Sequence, residues 1–355
     1  MSDEHDATPD EAPPKRRRFR LASRRSLVRL AVIFALLIVF VLIAYARQLN
    51  MPGSPMTGPL PPLSPEQGAA LERLRDDLTT LCDAYPHRSV FDPRTYDAAG
   101  EYIHSLLAAT GLDVQVEPVP GPIAESRNYY VEIPGAAHPG QTIIVGAHYD
   151  TEETTPGADD NASGVVGVIE LARRLAGAKP DRTIRLVIFA NEEALSFGTD
   201  AMGSQLHANN AHARGDDIRA MISLEMIGYY DESPGSQQFP PPRNLLYPDT
   251  ADFIAVVGNL SSTALTRRAA RVMRDANTIP VYGAALPAAV PGIAWSDHHS
   301  FWRLGVPAIM ITDTSFYRNP NYHQPSDTPD TLDFARMARV LDAVEALVRD
   351  LASAQ

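Results

Sequence analysis

The stretch TIIVGAHYDTEETTPGADDNASG, residues 142–164, sets the expected fold. It begins with an apolar, β-branched run at 142–147, typical of a buried strand, and ends in a Pro/Gly turn before the apolar helical run 165–175. His148 closes the strand, and Asp159 and Asp160 occupy the turn. Nitrogen and oxygen ligands grouped in this way suit a divalent cation such as zinc.

Strands and helices are predicted to alternate along the rest of the chain. Further strands are expected at 112–119, 128–133, 183–190, 220–224, 253–258, 279–282 and 308–312. Helices are expected from Ser64 onward and over about 95–109, 165–175, 199–213, 262–276 and 333–352. This alternation predicts an α/β layer fold with a mostly parallel sheet, in which ligands collect at the carboxyl ends of the strands.

The first 65 residues differ in character from the rest. Residues 1–29 carry eight Lys/Arg against five Asp/Glu and are predicted to form a cytoplasmic basic tail. Residues 30–46 are an uncharged apolar run of 17 residues, just long enough for a transmembrane signal anchor. The positive-inside rule then places everything after Arg47 outside the cytoplasm, as a single-pass protein of the inner or cell membrane. Residues 47–65 are predicted to be a Pro/Gly-rich linker and 66–355 the catalytic domain.

Two alternatives to a retained anchor stay open. Ala44-Tyr45-Ala46 resembles a small-x-small cleavage site, which would release a secreted form. Residues 23–27 resemble a twin-arginine export signal.

Charge and cysteine content exclude several classes of function. The whole chain has a net charge of -12, and because residues 1–29 are basic, the remainder carries -15. Such an acidic body argues against nucleic acid as a partner and weakly favours cations and positively charged peptide ends. The single cysteine, Cys82, excludes an internal disulfide and leaves histidines and carboxylates as the candidate metal ligands.

Five polar groups follow predicted strands or lie in turns. Besides His148 and the aspartate turn, the pair Glu192-Glu193 follows the strand 183–190, Glu225 closes the strand 220–224, and His323 lies in a turn-rich segment. Each group alone is a weak signal. Their shared position at strand ends predicts a metal-dependent hydrolase site with two cations, in which neighbouring carboxylates divide metal binding and proton transfer.

These motifs resemble those of a known family. In order they are GAHYD (146–150), PGADDNASG (156–164), NEE (191–193), SDH (296–298) and YHQPSDT (322–328). The chain is thus similar, over about 66–350, to the co-catalytic zinc aminopeptidases of metallopeptidase family 28, which also includes glutamate carboxypeptidases and glutaminyl cyclases. The resemblance implies a mixed, mainly parallel sheet between helices and a metal-activated water that hydrolyses N-terminal residues from peptides.

The resemblance also implies roles for individual residues. Glu192 becomes the general base, and Asp150 orients His148. Asp159 becomes the bridge between two zinc ions, while Asp160 shapes the turn. The implied ligands are Asp159, Glu193 and His323 for one ion, and His148, Asp159 and Glu225 for the other. Aspartate is usual at the position of Glu225, so a single zinc ion is the alternative.

The substrate pocket is less visible in the sequence. Asp297, His298, Tyr317 and Arg318 lie near the last ligand along the chain and are predicted to line it. Arg318 is the cation that could bind a substrate carboxylate, and residues 229–250 could form a rim. Glutaminyl cyclase-like aminoacyl transfer, and carboxypeptidase or dipeptidase activity, stay open as alternatives to an aminopeptidase.

Overall fold

The computed structural model describes residues 24–121, 123–193, 195–239 and 246–354. The chain divides into two compact units with a boundary between Tyr45 and Ala46. Most of the predicted basic tail lies outside the described residues.

The N-terminal unit is a helix, α1 (Arg24–Ala44), which continues as a π-helical turn over Tyr45–Leu49. Aliphatic residues without glycine or proline favour this helix, and none of them is buried. Among the described residues, α1 with its π-helical turn is the one helix long and apolar enough to cross a membrane. A retained anchor and a cleaved signal sequence both meet that criterion.

The larger unit begins with helices whose first turns are capped by side chains. In α2 (Pro65–Ala84), Ser64 accepts a hydrogen bond from the Gln67 backbone while the Gln67 side chain accepts one from the Ser64 backbone. Asp92 caps α3 (Pro93–Ala108), and Asp333 caps the last helix, α8 (Phe334–Ala352).

An eight-stranded sheet forms the centre of this unit. Its strands are β1 (Gln115–Val119), β2 (Ser126–Ile133), β3 (His138–His148), β4 (Arg182–Phe189), β5 (Asp217–Glu225), β6 (Ile254–Gly258), β7 (Val281–Ala285) and β8 (Ala308–Thr312). They lie in the order β1-β2-β4-β3-β5-β8-β6-β7. The central strands β4, β3, β5 and β8 are parallel, whereas β1 and β2 are antiparallel additions at one side, and β6 is antiparallel to β8. The predicted mixed, mainly parallel sheet is confirmed.

Helices cover both faces of the sheet. The remaining helices are α4 (Gly164–Leu175), α5 (Gly203–Arg214), α6 (Thr263–Ala276) and the short α7 (His298–Trp302). Alternate residues of β3 enter different cores: Ile143 and Val145 pack with α2, α4 and α8, whereas Ile144 packs with α5 and α7. Burial on both faces explains why the central strands are continuous apolar runs.

Candidate metal centre and active site

The parallel strands bring the predicted ligands to one edge of the sheet. His148 is the last residue of β3 and Glu225 the last of β5, while Glu192 and Glu193 follow β4 closely. Because β4, β3 and β5 are adjacent and parallel, their carboxyl ends lie side by side. The sheet therefore assembles most of this polar cluster.

His148 points one ring nitrogen at the cluster and the other away from it. Nε2 lies 3.4 Å from Asp160 Oδ1 and 3.4 Å from Glu225 Oε2. On the other side, Nδ1 donates to the Asp150 main-chain oxygen at 3.2 Å and lies 3.5 Å from Asp150 Oδ1. A histidine held through one nitrogen and free to ligate through the other is the usual arrangement at metal sites.

His323 approaches Asp160 from the opposite side. Its Nε2 lies 3.1 Å from Asp160 Oδ2 and 3.6 Å from Glu193 Oε2. The two oxygens of Asp160 therefore face two different histidines. A carboxylate between two ligand groups is positioned to bridge two cations.

The structure does not bring Asp159, expected to be the bridge, into this cluster. Its Oδ1 accepts from the Gly228 backbone at 2.9 Å, and its Oδ2 accepts from Asn319 Nδ2 at 2.7 Å. The residue that lies between the two histidines is the next one, Asp160. Burial and the neighbouring Asp313 raise the pKa of Asp159.

The turn that carries Asp160 is fixed by a buried arginine that the sequence did not single out. Arg88 is fully buried and donates to the main-chain oxygens of Tyr149, Pro156 and Gly157, each at 2.8 Å. It thereby joins the end of β3 to the start of the turn. Gly157 has φ of +59°, and a Cβ there would lie 2.3 Å from Thr151, so only glycine fits.

Asp327 and Asn161 hold the same turn from two other directions. Asp327 accepts from the backbone of Asp159 at 2.9 Å and of Asp160 at 3.1 Å. Asn161 donates to the Leu224 main-chain oxygen at 2.9 Å and to Glu225 Oε2 at 3.2 Å. The peptide bond between Asp160 and Asn161 is cis. Asp327 is in the YHQPSDT motif, so its place in the sequence was a usable signal for this role.

Asp150 also positions the two glutamates after β4. Its carboxylate accepts from the backbone of Glu192 at 3.0 Å and of Glu193 at 2.9 Å. One residue thus aligns His148 on one side and the glutamate pair on the other. The predicted orienting role of Asp150 stays a prediction, and these contacts support it.

The cluster concentrates negative charge in a buried place. Burial raises the pKa of Glu192 and of Glu193, and the charges of Glu225 and Asp160 respectively raise them further. Burial alone would raise the pKa of Asp160 as well, but hydrogen bonds with His148 and His323 hold it low. Within the described part of the chain, no lysine or arginine pairs with these carboxylates.

The donor atoms fit divalent metal ions. Three sets of three have their ligand atoms within 4.8 Å of one another: His148, Asp160 and Glu225; Asp160, Glu193 and His323; and His148, Glu192 and Glu193. Glu193 Oε1 is buried and has no hydrogen-bond partner. Imidazole nitrogens and carboxylate oxygens are zinc ligands, and a buried carboxylate oxygen without a hydrogen-bond donor is free to ligate a cation.

A cavity of about 420 Å³ opens beside the cluster. One end is formed by Asp160, Glu192, Glu193, Glu225 and His323. The rest is mostly aromatic and aliphatic, with walls that include Phe239, Tyr247, Phe253, Tyr282, Ile293 and Tyr317. Phe239 and Tyr247 come from the loop 229–250, which therefore does border the cavity.

Of the four predicted pocket residues, Tyr317 lines the cavity and three do not. Asp297 and His298 are fully buried at the start of α7, where His298 Nε2 donates to the Ile293 main-chain oxygen at 2.8 Å. Arg318 is also buried, with its guanidinium 4.5 Å from the centre of the Phe253 ring. It donates to the Phe253 main-chain oxygen at 2.8 Å, so it supports the wall from behind and is not a substrate ligand.

Comparison with known proteins identifies the family. Residues 128–348 match the sequence pattern of Peptidase family M28. The chain belongs to this family. It is therefore a metallopeptidase, and family membership implies a peptide substrate.

Relatives of this M28 chain extend over different shares of its length. The uncharacterized protein YfbL of Escherichia coli strain K12 is 39% identical over 326 residues, which cover 89% of this chain and 98% of YfbL. A probable leucine aminopeptidase of Trichophyton verrucosum is 29% identical over 59% of this chain and 53% of its own length. The solved structure of the LapA aminopeptidase from Legionella pneumophila matches with a TM-score of 0.63 at 21% identity, covering 84% of this chain and 78% of LapA. At that identity the likeness shows the fold alone.

Proposed function

We propose that this protein is an aminopeptidase with two zinc ions that removes large apolar residues from peptide N-termini. The observation that carries the proposal is the polarity of the cavity. Carboxylates form one end and aromatic side chains form much of the remainder. A peptide that begins with an apolar residue presents a cationic amine beside an apolar side chain, which complements both parts.

One zinc ion would be held by His148, Asp160 and Glu225 and the other by Asp160, Glu193 and His323. Two zinc ions bound there would supply Lewis-acid polarisation of the scissile carbonyl and would lower the pKa of a water molecule. The extra methylene of Glu225 relative to aspartate does not take its oxygen out of reach. Its Oε2 lies 3.4 Å from His148 Nε2 and is fixed by Ser296 at 2.7 Å.

Glu192 is the proposed general base. It lies in the cavity wall and belongs to neither of the two sets proposed to hold zinc, although it shares the third set with His148 and Glu193; its Oε2 is 4.0 Å from His148 Nε2. A carboxylate in that position can accept a proton from the attacking water and pass it to the leaving amine. Its raised pKa, caused by burial and nearby carboxylates, favours a group that both takes and returns a proton.

The cavity disfavours the carboxypeptidase alternative. No lysine or arginine is among the described residues that line it, and a C-terminal carboxylate would meet Asp160, Glu192, Glu193 and Glu225 instead. Like charges at such distances repel strongly in a buried site. The size of the cavity, within the range of ~300–1,000 Å³ that holds drug-sized ligands, exceeds what a small first residue needs.

For location, we propose that α1 is a signal anchor and that the peptidase unit lies outside the cytoplasm. The uncharged run 30–46 and the basic residues before it support this orientation. Protease added to spheroplasts, or to intact cells that have no outer membrane, should degrade the peptidase unit of a retained protein. Protection of that unit until the membrane is permeabilised would contradict the orientation.

The test of the activity uses the full chain, purified in detergent with zinc, and tetrapeptides X-Ala-Ala-Ala. With X as Phe or Leu, kcat/KM should exceed the value for X as Ala by at least ~10-fold, as burying additional methylenes requires. The N-acetylated Phe peptide should resist cleavage. The C-terminal amide of the Phe peptide should be cleaved at the rate of the free acid.

Mass spectrometry of the products separates the alternatives. Release of the first residue supports the proposal. Release of the last residue would establish a carboxypeptidase instead. Conversion of the peptide with X as Gln to its pyroglutamyl form, without any cleavage, would establish a cyclase.

A further inference from the structure

The segment Ala46–Gly53, here named the strap, is bound to the peptidase unit and is not a free linker. Arg267 on α6 donates through Nη1 to the main-chain oxygens of Ala46 at 3.0 Å, Arg47 at 3.1 Å and Asn50 at 2.9 Å. Three carbonyls on one guanidinium group fix the path of the strap along the helix. Composition alone predicted a Pro/Gly linker there, whereas in the structure this segment is hydrogen-bonded to α6.

A second arginine on the same face of α6 joins the strap to the sheet. Arg274 follows Arg267 by seven residues, which is about two helical turns. Its Nη1 donates to the main-chain oxygens of Met51, Pro52 and Gly53 at 2.9–3.0 Å. Its Nε donates at 2.9 Å to the oxygen of Val281, the first residue of β7.

Met51 packs directly behind β7. Its side chain is 3% exposed, and a Cβ placed on Gly283 would lie 3.1 Å from Met51 Cγ. Glycine at position 283 therefore lets the methionine approach the strand closely. The contact and the Arg274 hydrogen bonds are independent links between the strap and the same strand.

Strand β7 is the outermost strand of the sheet and also a wall of the cavity. Among the strands that the structure describes it pairs only with β6, so one of its edges has no neighbouring strand there. Tyr282, Gly283 and Ala284 line the cavity that also borders Asp160, Glu193 and His323. An edge strand held by one neighbour opens more easily than a central one, so support from behind affects the shape of the wall.

We infer that the strap positions the cavity wall, with Met51 and Arg274 as positioning residues for the apolar part of the substrate. This inference rests on the proposed function in taking the cavity as the substrate site. The juxtamembrane segment then contributes to selectivity for large first residues, although none of its residues lines the cavity.

The test compares four single variants of the full chain in detergent with wild type. Met51→Ala removes the packing and Arg274→Ala removes the hydrogen bonds. Met51→Leu restores an apolar side chain of similar volume, and Arg271→Ala changes an exposed α6 residue that contacts neither the strap nor β7 in the described structure. Hydrogen exchange is measured for peptides covering β7 and, as an internal reference, β4.

Met51→Ala and Arg274→Ala should speed exchange in β7 by at least ~10-fold, because loss of a buried side chain shifts a local opening equilibrium by more than that. Exchange in β4 should be unchanged, and Met51→Leu and Arg271→Ala should match wild type. KM for Phe-Ala-Ala-Ala should rise ~3–10-fold in the two destabilised variants with kcat retained, since part of the binding surface is lost. KM for Ala-Ala-Ala-Ala should change little.

Unchanged exchange in β7 for both Met51→Ala and Arg274→Ala would overturn the inference. An equal rise in KM for the Phe and Ala peptides would overturn it as well. If wild type cleaves neither peptide, the proposed function fails, and the exchange data still decide whether the strap supports β7.

Discussion

Two groups of buried and half-buried carboxylates in the peptidase unit differ in how their charge is balanced. The helix group lies between α2, α4 and α8 and consists of Asp77, Glu170 and Asp342. Arginines pair with all three: Arg73 and Arg174 reach Glu170 at 2.6 and 2.9 Å, Arg173 reaches Asp77 at 2.7 Å, and Arg174 reaches Asp342 at 2.8 Å. The sheet-edge group consists of Asp160, Glu192, Glu193 and Glu225, and two histidines are its nearest described cationic side chains.

The pKa shifts of the glutamates in the two groups follow from that difference. Burial would raise the pKa of Glu170, but the hydrogen bonds and charges of Arg73 and Arg174 lower it below the ordinary value. At Glu192 and Glu193 burial raises the pKa, and neighbouring carboxylates add to the effect. Glu170, paired with arginines, and Glu192 and Glu193, without a described lysine or arginine partner, therefore shift in opposite directions. This difference separates a structural ion cluster from carboxylates that suit a cation site.

The largest expected effect is on catalysis, at the sheet-edge group. Glu192→Gln should lower kcat by ~10²–10⁴-fold, because the amide can no longer accept a proton. Zinc content, measured by mass spectrometry with inductively coupled plasma, should stay at the wild-type value. Glu153→Gln, a change at a nearby exposed acid, is the matched control and should leave kcat unchanged. Near wild-type turnover by Glu192→Gln would remove Glu192 from the base role.

The next effect distinguishes the two adjacent aspartates. Asp160→Asn should weaken zinc binding by more than ~100-fold, since it alters a direct ligand, whereas Asp159→Asn should weaken it by ~10-fold or less. Competition with a zinc-binding dye measures both affinities. The reverse ranking would return the bridging role to Asp159.

The smallest effect is on stability, at the helix group. Glu170→Gln should reduce the free energy of unfolding by about 3 kcal/mol, because it leaves Arg73, Arg173 and Arg174 without their shared partner. Glu72→Gln, which breaks the exposed Glu72–Arg75 pair, should cost at most ~1 kcal/mol. Urea unfolding in the presence of a chelator measures both without a contribution from metal binding.

The difference in unfolding free energy between wild type and Glu170→Gln should also depend on pH, and it should decrease on acidification. Because the pKa of Glu170 is lowered in the folded state, its contribution is complete above the unfolded value of about 4.3 and declines as the pH falls below it. Wild type and Glu170→Gln should therefore converge in stability at acid pH. A difference that grew on acidification would contradict the ion-cluster interpretation.

Much of the fold was predictable because burial on both faces makes the central strands continuous apolar runs. The strand 308–312 was predicted at its observed ends, and the run 142–147 lies within β3. Strand direction was less accessible: the antiparallel pairing of β6 with β8 depends on long connections that have no local pattern. The short helix α7 was not predicted, and it buries Asp297 and His298, which were expected in the pocket.

The direction of individual side chains was the part of the site that the sequence could not predict. The sequence placed both aspartates in the turn, but the backbone torsions that direct Asp160 to the histidines depend on hydrogen bonds. Arg88 and Asp327, both far from the turn in sequence, bond to its backbone, and the Asn161 side chain bonds to the main-chain oxygen of Leu224. Arg88, Arg274 and Arg318 all donate to main-chain oxygens. Carbonyl acceptors belong to every residue type, so such contacts leave no signature in the sequence.

The most direct test of the central claim is a crystal structure of the zinc-loaded protein with anomalous data collected at the zinc absorption edge. Two anomalous peaks are expected at the sheet edge, one contacting His148 and Glu225 and the other contacting Glu193 and His323, with Asp160 between them. A single peak would establish the one-zinc alternative. Peaks that contact Asp159 instead of Asp160, or that lie away from the sheet-edge group, would contradict the account.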